Sequence, residues 1–281
     1  MGIAITATEK AILQKITIPP RPEALIKIGE EAKKPEPDVS KIASTIAADV
    51  GISSAVLQVV NSAAFRRAKE IQSIQQAVMT LGFKRLLPLV KSVALKSSMG
   101  QAEKLADFWD TATKVANAAS IAADLMRKPN LKDHSYMLGL FHNAGIPIMV
   151  LEYDDYGEMM DMAASEGWPA VVEEERGKYG TSHCTISAIL GQKWKLPAIM
   201  IEVIYYQMDV EGLYTSGELS DTALDLMSIL KLARHAVSYE TNGDANDPEW
   251  AQVEDSILER YDMNEIDLEN LREQLLEKMA E

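Results

Sequence analysis

Apolar residues recur through most of the chain at the three- and four-residue spacing of amphipathic helices. Over residues 38–50 they form one stripe, which consists of Val39, Ile42, Ile46 and Val50. Asp38 or Ser40 can cap this helix at its N-terminus, and Gly51 can close it. The pattern predicts that the next helix begins at Ser53.

A capping box marks the start of another helix. Ser73 is followed three residues later by Gln76, a spacing at which side chains and backbone N–H groups can bind reciprocally. Gly82 ends this helix, whose apolar face consists of Ile74, Ala77, Val78 and Leu81. Helical periodicity continues over residues 86–99 and 106–126.

Strand-like alternation of apolar and polar residues is absent from the sequence. The apolar run 146–151 has the length of a strand, but Gly145 and Pro147 favour a break between two helices. With 15 glycines and 11 prolines, the chain has little turn chemistry for a many-stranded fold. The sequence therefore predicts an all-α protein.

Charge is distributed unevenly along the chain. The protein carries 42 acidic and 28 basic residues, a formal net charge of −14, which disfavours a protein that coats nucleic acid. Residues 240–281 hold 14 acidic against 3 basic side chains, yet their apolar residues keep a helical spacing. We therefore predict that residues 241–281 form an acidic tail of amphipathic helices rather than a disordered segment.

Cysteine content and hydropathy indicate the compartment. Cys184 is the single cysteine, which excludes an intramolecular disulfide and a CxxC metal or redox site. No apolar run approaches the roughly 18 residues of a membrane span, and the N-terminus lacks the apolar core of a signal peptide. We therefore expect a cytoplasmic protein with no membrane partner.

Two sets of motifs follow one another along the chain. The first consists of Ile18-Pro19-Pro20-Arg21-Pro22, Asp38-Val39-Ser40, Asn61-Ser62 and Leu81-Gly82. The second consists of Trp109, Gly139-Leu140-Phe141-His142-Asn143-Ala144-Gly145, Gly180, His183, Trp194 and Leu196-Pro197. Together they resemble the HDOD domain family over residues 16–240, and their combined spacing is specific.

The resemblance implies a fold and a class of function. HDOD domains are helical bacterial modules that are related to HD-type metal-dependent phosphohydrolases and serve as regulatory outputs in signalling. We accordingly expect an HD-domain-like helical bundle over residues 106–240, preceded by an N-terminal helical subdomain over 16–105. A lead-in helix over 1–15 and the acidic tail complete the predicted organisation. Whether the two subdomains share one core stays open.

The resemblance also allows the metal ligands to be compared. HD hydrolases hold a divalent metal with an early His, an adjacent His-Asp pair and a distal Asp. In this sequence the matching positions are Thr111, His142, Asn143 and Arg234. Only His142 keeps its ligand type, and a positive charge at Arg234 would repel a cation. We therefore expect no catalytic residues, no metal site and no cofactor.

Two histidines belong to a possible vestigial polar site, which consists of His142, Asn143 and His183. His142 lies between an apolar helix and a glycine, and His183 follows Ser182, which can cap a helix. Both are expected to be buried and hydrogen-bonded in structural roles. An adventitious metal held by His142 and His183 is the alternative.

A basic segment lies between residues 61 and 100 of the otherwise acidic chain. Its cations could pair with a phosphate-bearing ligand such as a cyclic dinucleotide. The possible anion-binding residues are Arg66, Arg67, Lys69, Lys84 and Arg85. A solvated helix face is the simpler interpretation, which we favour. Nucleic-acid binding is not expected, because aromatic residues for base stacking are scarce there.

Two other polar groups are interpreted as structural. Glu173, Glu174 and Glu175 point in different directions round a helix, so we expect a solvated turn rather than an acid–base pair. Cys184 and His183 are adjacent on a helix, and we expect their side chains to diverge. That divergence disfavours a thiol nucleophile.

The leading hypothesis is a catalytically inactive HDOD-type regulatory module that binds a signalling protein or a small phosphate-bearing ligand. The alternative is an HD-type metal-dependent phosphohydrolase that acts on a nucleotide or cyclic dinucleotide. The residues at the four metal-ligand positions separate the two hypotheses. The sequence does not indicate the oligomeric state.

Overall fold

The computed structural model describes residue 16 and residues 23–48, 50–61, 71–98, 106–243 and 247–280. Every regular element within these ranges is a helix, which confirms the prediction of an all-α protein. Packing divides the chain into two compact units: the N-terminal unit ends at Trp109, and the C-terminal unit begins at Asp110 and also includes the described residue Ile16. The lead-in helix predicted over 1–15 lies outside the described residues.

The N-terminal unit contains five described helices. They are α1 (Glu23–Glu31), α2 (Val39–Ala47), α3 (Val50–Val60), α4 (Ile74–Leu81) and α5 (Phe83–Ser98). Asp38 caps α2 by accepting hydrogen bonds from the backbone N–H groups of Ser40 and Lys41, at 2.9 and 3.1 Å. Ser73 caps α4, where its Oγ accepts from the N–H of Gln76 at 3.1 Å. Of the two predicted caps of α2 the structure selects Asp38 rather than Ser40, and the predicted cap Ser73 is confirmed.

Three predicted helix boundaries in this unit are wrong. Gly51 does not close α2 but lies in the first turn of α3, which begins at Val50 rather than Ser53. The glycine signal was misleading because glycine also occurs within helices, at a conformational cost of about 0.5–1 kcal/mol relative to alanine. Helix α5 begins at Phe83 rather than residue 86, because Gly82 adopts a φ of +74° that turns the chain sharply between α4 and α5.

The C-terminal unit is built round one long helix. Its elements in chain order are α6 (Ala106–Leu125), which starts just before the division, a 3₁₀ turn (Pro129–Leu131), α7 (Lys132–Phe141), α8 (Ile146–Glu152), α9 (Gly157–Glu166), α10 (Trp168–Tyr179), α11 (His183–Lys193), α12 (Ala198–Tyr206), α13 (Leu213–Ser216) and α14 (Asp221–Asn242). Helix α14 packs against α7 and α12, and most of its residues between Ala223 and Val237 are buried. Helix α8 confirms that the apolar run 146–151 is not a strand.

Two glycines allow the helices of this unit to approach closely. A Cβ atom on Gly139 of α7 would lie 2.6 Å from the Cα of Ala116 in α6. A Cβ on Gly145 would lie 2.2 Å from the carbonyl oxygen of His183, at the start of α11. The N–H of Gly145 also donates to the Oγ of Ser187 at 2.7 Å. The turn that follows α7 is therefore held against α11.

The acidic tail packs on the same unit. It forms α15 (Pro248–Ala251), α16 (Glu254–Tyr261) and α17 (Glu265–Ala280), and both α15 and α17 contact α14. The carboxylate of Asp225 accepts from the Nη2 of Arg260 at 3.0 Å and from the hydroxyl of Tyr261 at 2.9 Å. The guanidinium of Arg272 lies 4.3 Å from the ring centre of Tyr239. The amphipathic tail thus folds onto its own chain.

No helix in the described ranges is long and apolar enough to cross a membrane.

The close approach at Gly145 predicts the effect of adding one methyl group. We expect Gly145→Ala to lower the free energy of unfolding by about 3 kcal/mol, because the new Cβ would overlap the backbone of α11. The matched control is Gly177→Ala in α10, where a Cβ would meet nothing within 4 Å. That substitution should stabilise the helix by about 0.5–1 kcal/mol. Urea denaturation of both variants measures the difference, and equal effects would contradict the packing described.

Candidate functional site

His142 lies at the C-terminal end of α7 and is buried. Its Nδ1 is 2.6 Å from the carbonyl oxygen of Gly139. Because a carbonyl only accepts hydrogen bonds, Nδ1 carries the proton and Nε2 has a free lone pair. The Nη1 of Arg234 lies within hydrogen-bonding distance of Nε2 and donates to it. The lone pair with which His142 could bind a metal is therefore occupied by a guanidinium.

Arg234 and Lys231 lie three residues apart on α14 and bind the same carboxylate. The Nε and Nη2 of Arg234 lie 2.6 and 2.5 Å from the two oxygens of Glu249 in α15, a bidentate pair. The Nζ of Lys231 lies 2.9 Å from one of those oxygens. Together with His142, these residues are referred to below as the Arg234 cluster.

Burial and the neighbouring charges together set the protonation states of the residues in the Arg234 cluster. Burial and the neighbouring Arg234 hold the pKa of His142 well below its usual range, so the imidazole is neutral at pH 7. Burial opposes ionisation of Glu249, but Arg234 and Lys231 outweigh it and lower the pKa of that carboxyl. Burial lowers the pKa of Lys231, and Glu249 opposes this shift. The cluster is an ion triad beside a neutral histidine.

A second buried group lies at the start of α11, where Ser182 is the N-cap. The Nδ1 of His183 is 2.8 Å from one carboxylate oxygen of Glu175, and the backbone N–H of His183 donates to the same oxygen at 3.0 Å. The other oxygen of Glu175 accepts from the hydroxyl of Tyr156. The Sγ of Cys184 lies 3.5 Å from the Nε2 of His183. Tyr156, Glu175, His183 and Cys184 are referred to below as the His183 cluster.

The carboxylate of Glu175 favours a charged imidazole. Burial disfavours protonation, but Cys184 and Glu175 raise the pKa of His183 to about 10. Burial alone would raise the pKa of Glu175, yet His183 and the hydrogen bonds to that carboxyl lower it. His183 and Glu175 are therefore a buried ion pair at neutral pH, in contrast to the neutral His142.

Gln207 connects the two clusters. Its Nε2 donates to the carbonyl oxygen of His142 at 2.7 Å, and it also lies 3.3 Å from the Oδ1 of Asn143 and 3.6 Å from the Sγ of Cys184. Gln207 itself is completely buried at the end of α12. The three residues of the possible vestigial polar site, His142, Asn143 and His183, therefore lie in one buried polar region.

The other predicted positions have different surroundings. Arg234 joins His142 in the Arg234 cluster, whereas Thr111 is exposed on α6 and does not belong to that cluster. Of the possible anion-binding residues, Arg66, Arg67 and Lys69 lie outside the described residues. Lys84 and Arg85 lie on α5 in the N-terminal unit, and an anion-binding role for this patch stays a prediction.

Two expectations from the sequence are wrong. Glu173 and Glu174 are exposed, but Glu175 is completely buried. The burial of Glu175 could have been predicted from its position. It lies four residues after Val171 and three after Val172, both buried, and therefore shares their face of α10. His183 and Cys184 do not diverge either, since an imidazole extends far enough beyond its Cβ to bring a ring nitrogen close to the next side chain.

Four more residues of the site were missed in the sequence, namely Tyr156, Gln207, Lys231 and Glu249. Lys231 lies in a strongly apolar stretch of α14, and Glu249 lies between Pro248 and Trp250 in the tail. A lysine at a core position could have indicated a buried ion pair, because lysine is almost never completely buried unless it is paired.

Within the described ranges, no three His, Cys, Asp or Glu side chains are arranged to hold a metal ion.

Solved structures establish the class of fold. An HDOD domain protein of unknown function from Geobacter sulfurreducens is 19% identical, with a TM-score of 0.68 over 97% of this chain and 95% of that one. A protein from Shewanella amazonensis SB2B, provisionally named a phosphohydrolase, is 22% identical, with a TM-score of 0.69 over 96% of this chain and 97% of that one. The expected HD-like helical fold is confirmed.

The sequence itself identifies the family. The sequence model of the HDOD domain family matches residues 18–210, which are more than half of the chain. This protein therefore belongs to the HDOD domain family. An uncharacterized protein of Treponema pallidum (strain Nichols) is 29% identical over 195 residues, which are 67% of this chain and 37% of that protein. This chain thus spans well under half of the length of that relative.

The Arg234 cluster predicts a loss of stability in acid. Because Glu249 has a lowered pKa in the folded protein, its stabilising effect is present above the unfolded value of about 4.3 and is lost as the pH falls through the folded pKa. Glu249→Gln should lower the unfolding free energy at pH 7 by about 3 kcal/mol, since two buried cations lose their partner. The same substitution should also make the unfolding free energy depend less steeply on pH in acid. Chemical denaturation across pH measures both effects, with Glu259→Gln, an exposed residue of α16, as the control. A Glu249→Gln variant as stable as that control would contradict the triad.

The His183 cluster predicts the opposite pH dependence. A raised pKa means that protonated His183 stabilises the fold below the unfolded value of about 6.5 and that this effect is lost as the pH rises towards 10. We expect Glu175→Gln to lower the pKa of His183. The unfolding free energy of this variant should then fall less steeply as the pH rises towards 10. An NMR titration of the imidazole measures the shift, and Glu174→Gln on the exposed face of α10 is the matched control. An unchanged pKa in Glu175→Gln would show that the carboxylate does not hold the proton.

Proposed function

We propose that this protein is a catalytically inactive regulatory module of signal transduction, which acts by binding a protein partner or a small ligand. The observation that carries the proposal is the hydrogen bond from Arg234 to the Nε2 of His142. A guanidinium occupies the one lone pair that the matched metal-binding positions retain, and its charge repels a divalent cation.

The residues present do not fit the metal that HD-type hydrolysis needs. Such a metal requires imidazole and carboxylate ligands, which bind it and lower the pKa of its water. Asn143 offers a neutral amide, and that amide already faces the side chain of Gln207. The carboxylate of Glu249 is bound to two cations. No step of phosphoester hydrolysis can therefore be derived from these side chains.

The polar network supports a scaffold rather than a reaction centre. Both histidines have their ring nitrogens within hydrogen-bonding distance of neighbouring groups, and both are buried. Although the Oε1 of Gln207 has no hydrogen-bond partner among the described residues, the contacts of these two histidines favour one arrangement of the helices. The fold is shared with a Marinobacter aquaeolei VT8 protein provisionally named for signal transduction (18% identical, TM-score 0.67, over 97% of this chain and 63% of that one).

The proposal predicts the outcome of a metal and turnover assay. Protein purified without chelators should contain less than one equivalent of divalent metal. In manganese or magnesium it should hydrolyse a generic phosphodiester no faster than the buffer alone. Turnover that His142→Ala abolishes would instead support the phosphohydrolase alternative, with a nucleotide or cyclic dinucleotide as substrate.

Partner binding has its own test. The full chain is used to capture proteins from its native cytoplasm, and the captured partner is then purified and recombined with it. We expect a complex of defined stoichiometry, measured by light scattering together with the oligomeric state of the free chain. An unrelated acidic helical protein is the control. Failure to form any complex with protein or small ligand would contradict the proposal.

A further inference from the structure

The carboxylate of Glu249 is held in the way that proteins hold a bound anion. Three N–H donors from two cationic side chains, Arg234 and Lys231, converge on its two oxygens at 2.5 to 2.9 Å. A guanidinium fork of this kind fits a phosphate group as well as a carboxylate. The contacts therefore describe a site for an oxyanion.

The charges at this site are unbalanced without an anion. Lys231 is 1% exposed, and its ammonium has Glu249 as its ion-pair partner. The side chain of Arg234 is 11% exposed, so the site reaches the surface beside α15. A buried ion triad seldom stabilises a fold more than apolar residues of the same volume would. Stability alone is thus a weak reason for two cations here.

The group that fills the site belongs to a short segment. Helix α15 has four residues, and Asp247 caps its N-terminus. It is attached to α14 by the stack of Trp250 on His235, with ring centres 4.5 Å apart, and by Asp247, whose Oδ2 lies 3.0 Å from the Nδ1 of His235. Departure of this segment would also expose the buried Trp250 and break the three contacts of Glu249 with Lys231 and Arg234, so an incoming ligand has to replace those three contacts.

We infer that Lys231 and Arg234 form a binding site for a small oxyanion, a carboxylate or a phosphate group, and that Glu249 takes the place of this ligand in the present structure. An oxyanion with two oxygens directed at α14 would replace the bidentate contact of Glu249 with Arg234. The inference rests on the proposed function in that it specifies the class of small ligand. It places that ligand on α14 rather than on the basic segment of the N-terminal unit.

Chemical rescue of Glu249→Ala tests this site. Truncation leaves the two cations unpaired and opens the space of a carboxylate. The melting temperature is measured in sodium acetate, sodium phosphate and sodium chloride at matched ionic strength. We expect acetate or phosphate at ten times its dissociation constant to raise the melting temperature of Glu249→Ala by about 4 °C over chloride. Rescue by acetate alone assigns a carboxylate ligand, and rescue by phosphate alone assigns a phosphate ligand.

Three controls separate binding from general salt effects. In Glu249→Gln the amide still fills the space, and in Glu259→Ala the site is intact, so both should respond to the anions as the wild type does. Glu249→Ala combined with Arg234→Ala should lose the rescue. If Glu249→Ala does not fold in chloride, refolding yield in each anion is the readout. Equal responses of all variants, or failure to refold in every anion, would overturn the inference. Metal-dependent turnover would overturn the proposed function without changing this result.

Discussion

Neutralisation of buried charge at Glu249 is the constraint on which the C-terminal unit depends. Lys231 and Arg234 lie on α14, the helix against which α7, α12 and the tail pack, and burying both cations there without an anion would cost several kcal/mol. The same Arg234 fixes the proton of His142 on Nδ1 by donating to Nε2. One ion triad thus helps to hold the start of the tail on α14, supports the tautomer of His142 that Gly139 selects and places a positive charge where a metal cation would bind.

The two histidine clusters show how different environments give one residue type opposite charges. His142 faces a cation and is neutral, whereas His183 faces the carboxylate of Glu175 and is protonated. The clusters lie side by side because Gly145 has no side chain to separate the turn after α7 from α11. Gln207 then bridges them with a single amide. Close backbone packing and polar contacts depend on each other in this region.

Local patterns predicted the fold better than the site. Helical spacing and caps such as Asp38, Ser73 and Ser182 depend on neighbouring residues, so they can be read from a short stretch of sequence. Helix ends were less predictable, as at Gly51, because glycine occurs within helices as well as at their ends. The partners in the site are distant in the chain: Glu249 is 15 residues from Arg234, which is 92 residues from His142. Tertiary packing alone decides such contacts, and a motif comparison could indicate Arg234 but not its counter-ion.

The position of Glu249 in the chain also bears on the order of folding during synthesis. Lys231 leaves the ribosome 18 residues before Glu249, so α14 is complete while its cations still lack their carboxylate. Until residue 249 has been made, water or another anion must compensate both cations. The ion triad can therefore form only after the start of the tail has been made, later than α14 itself.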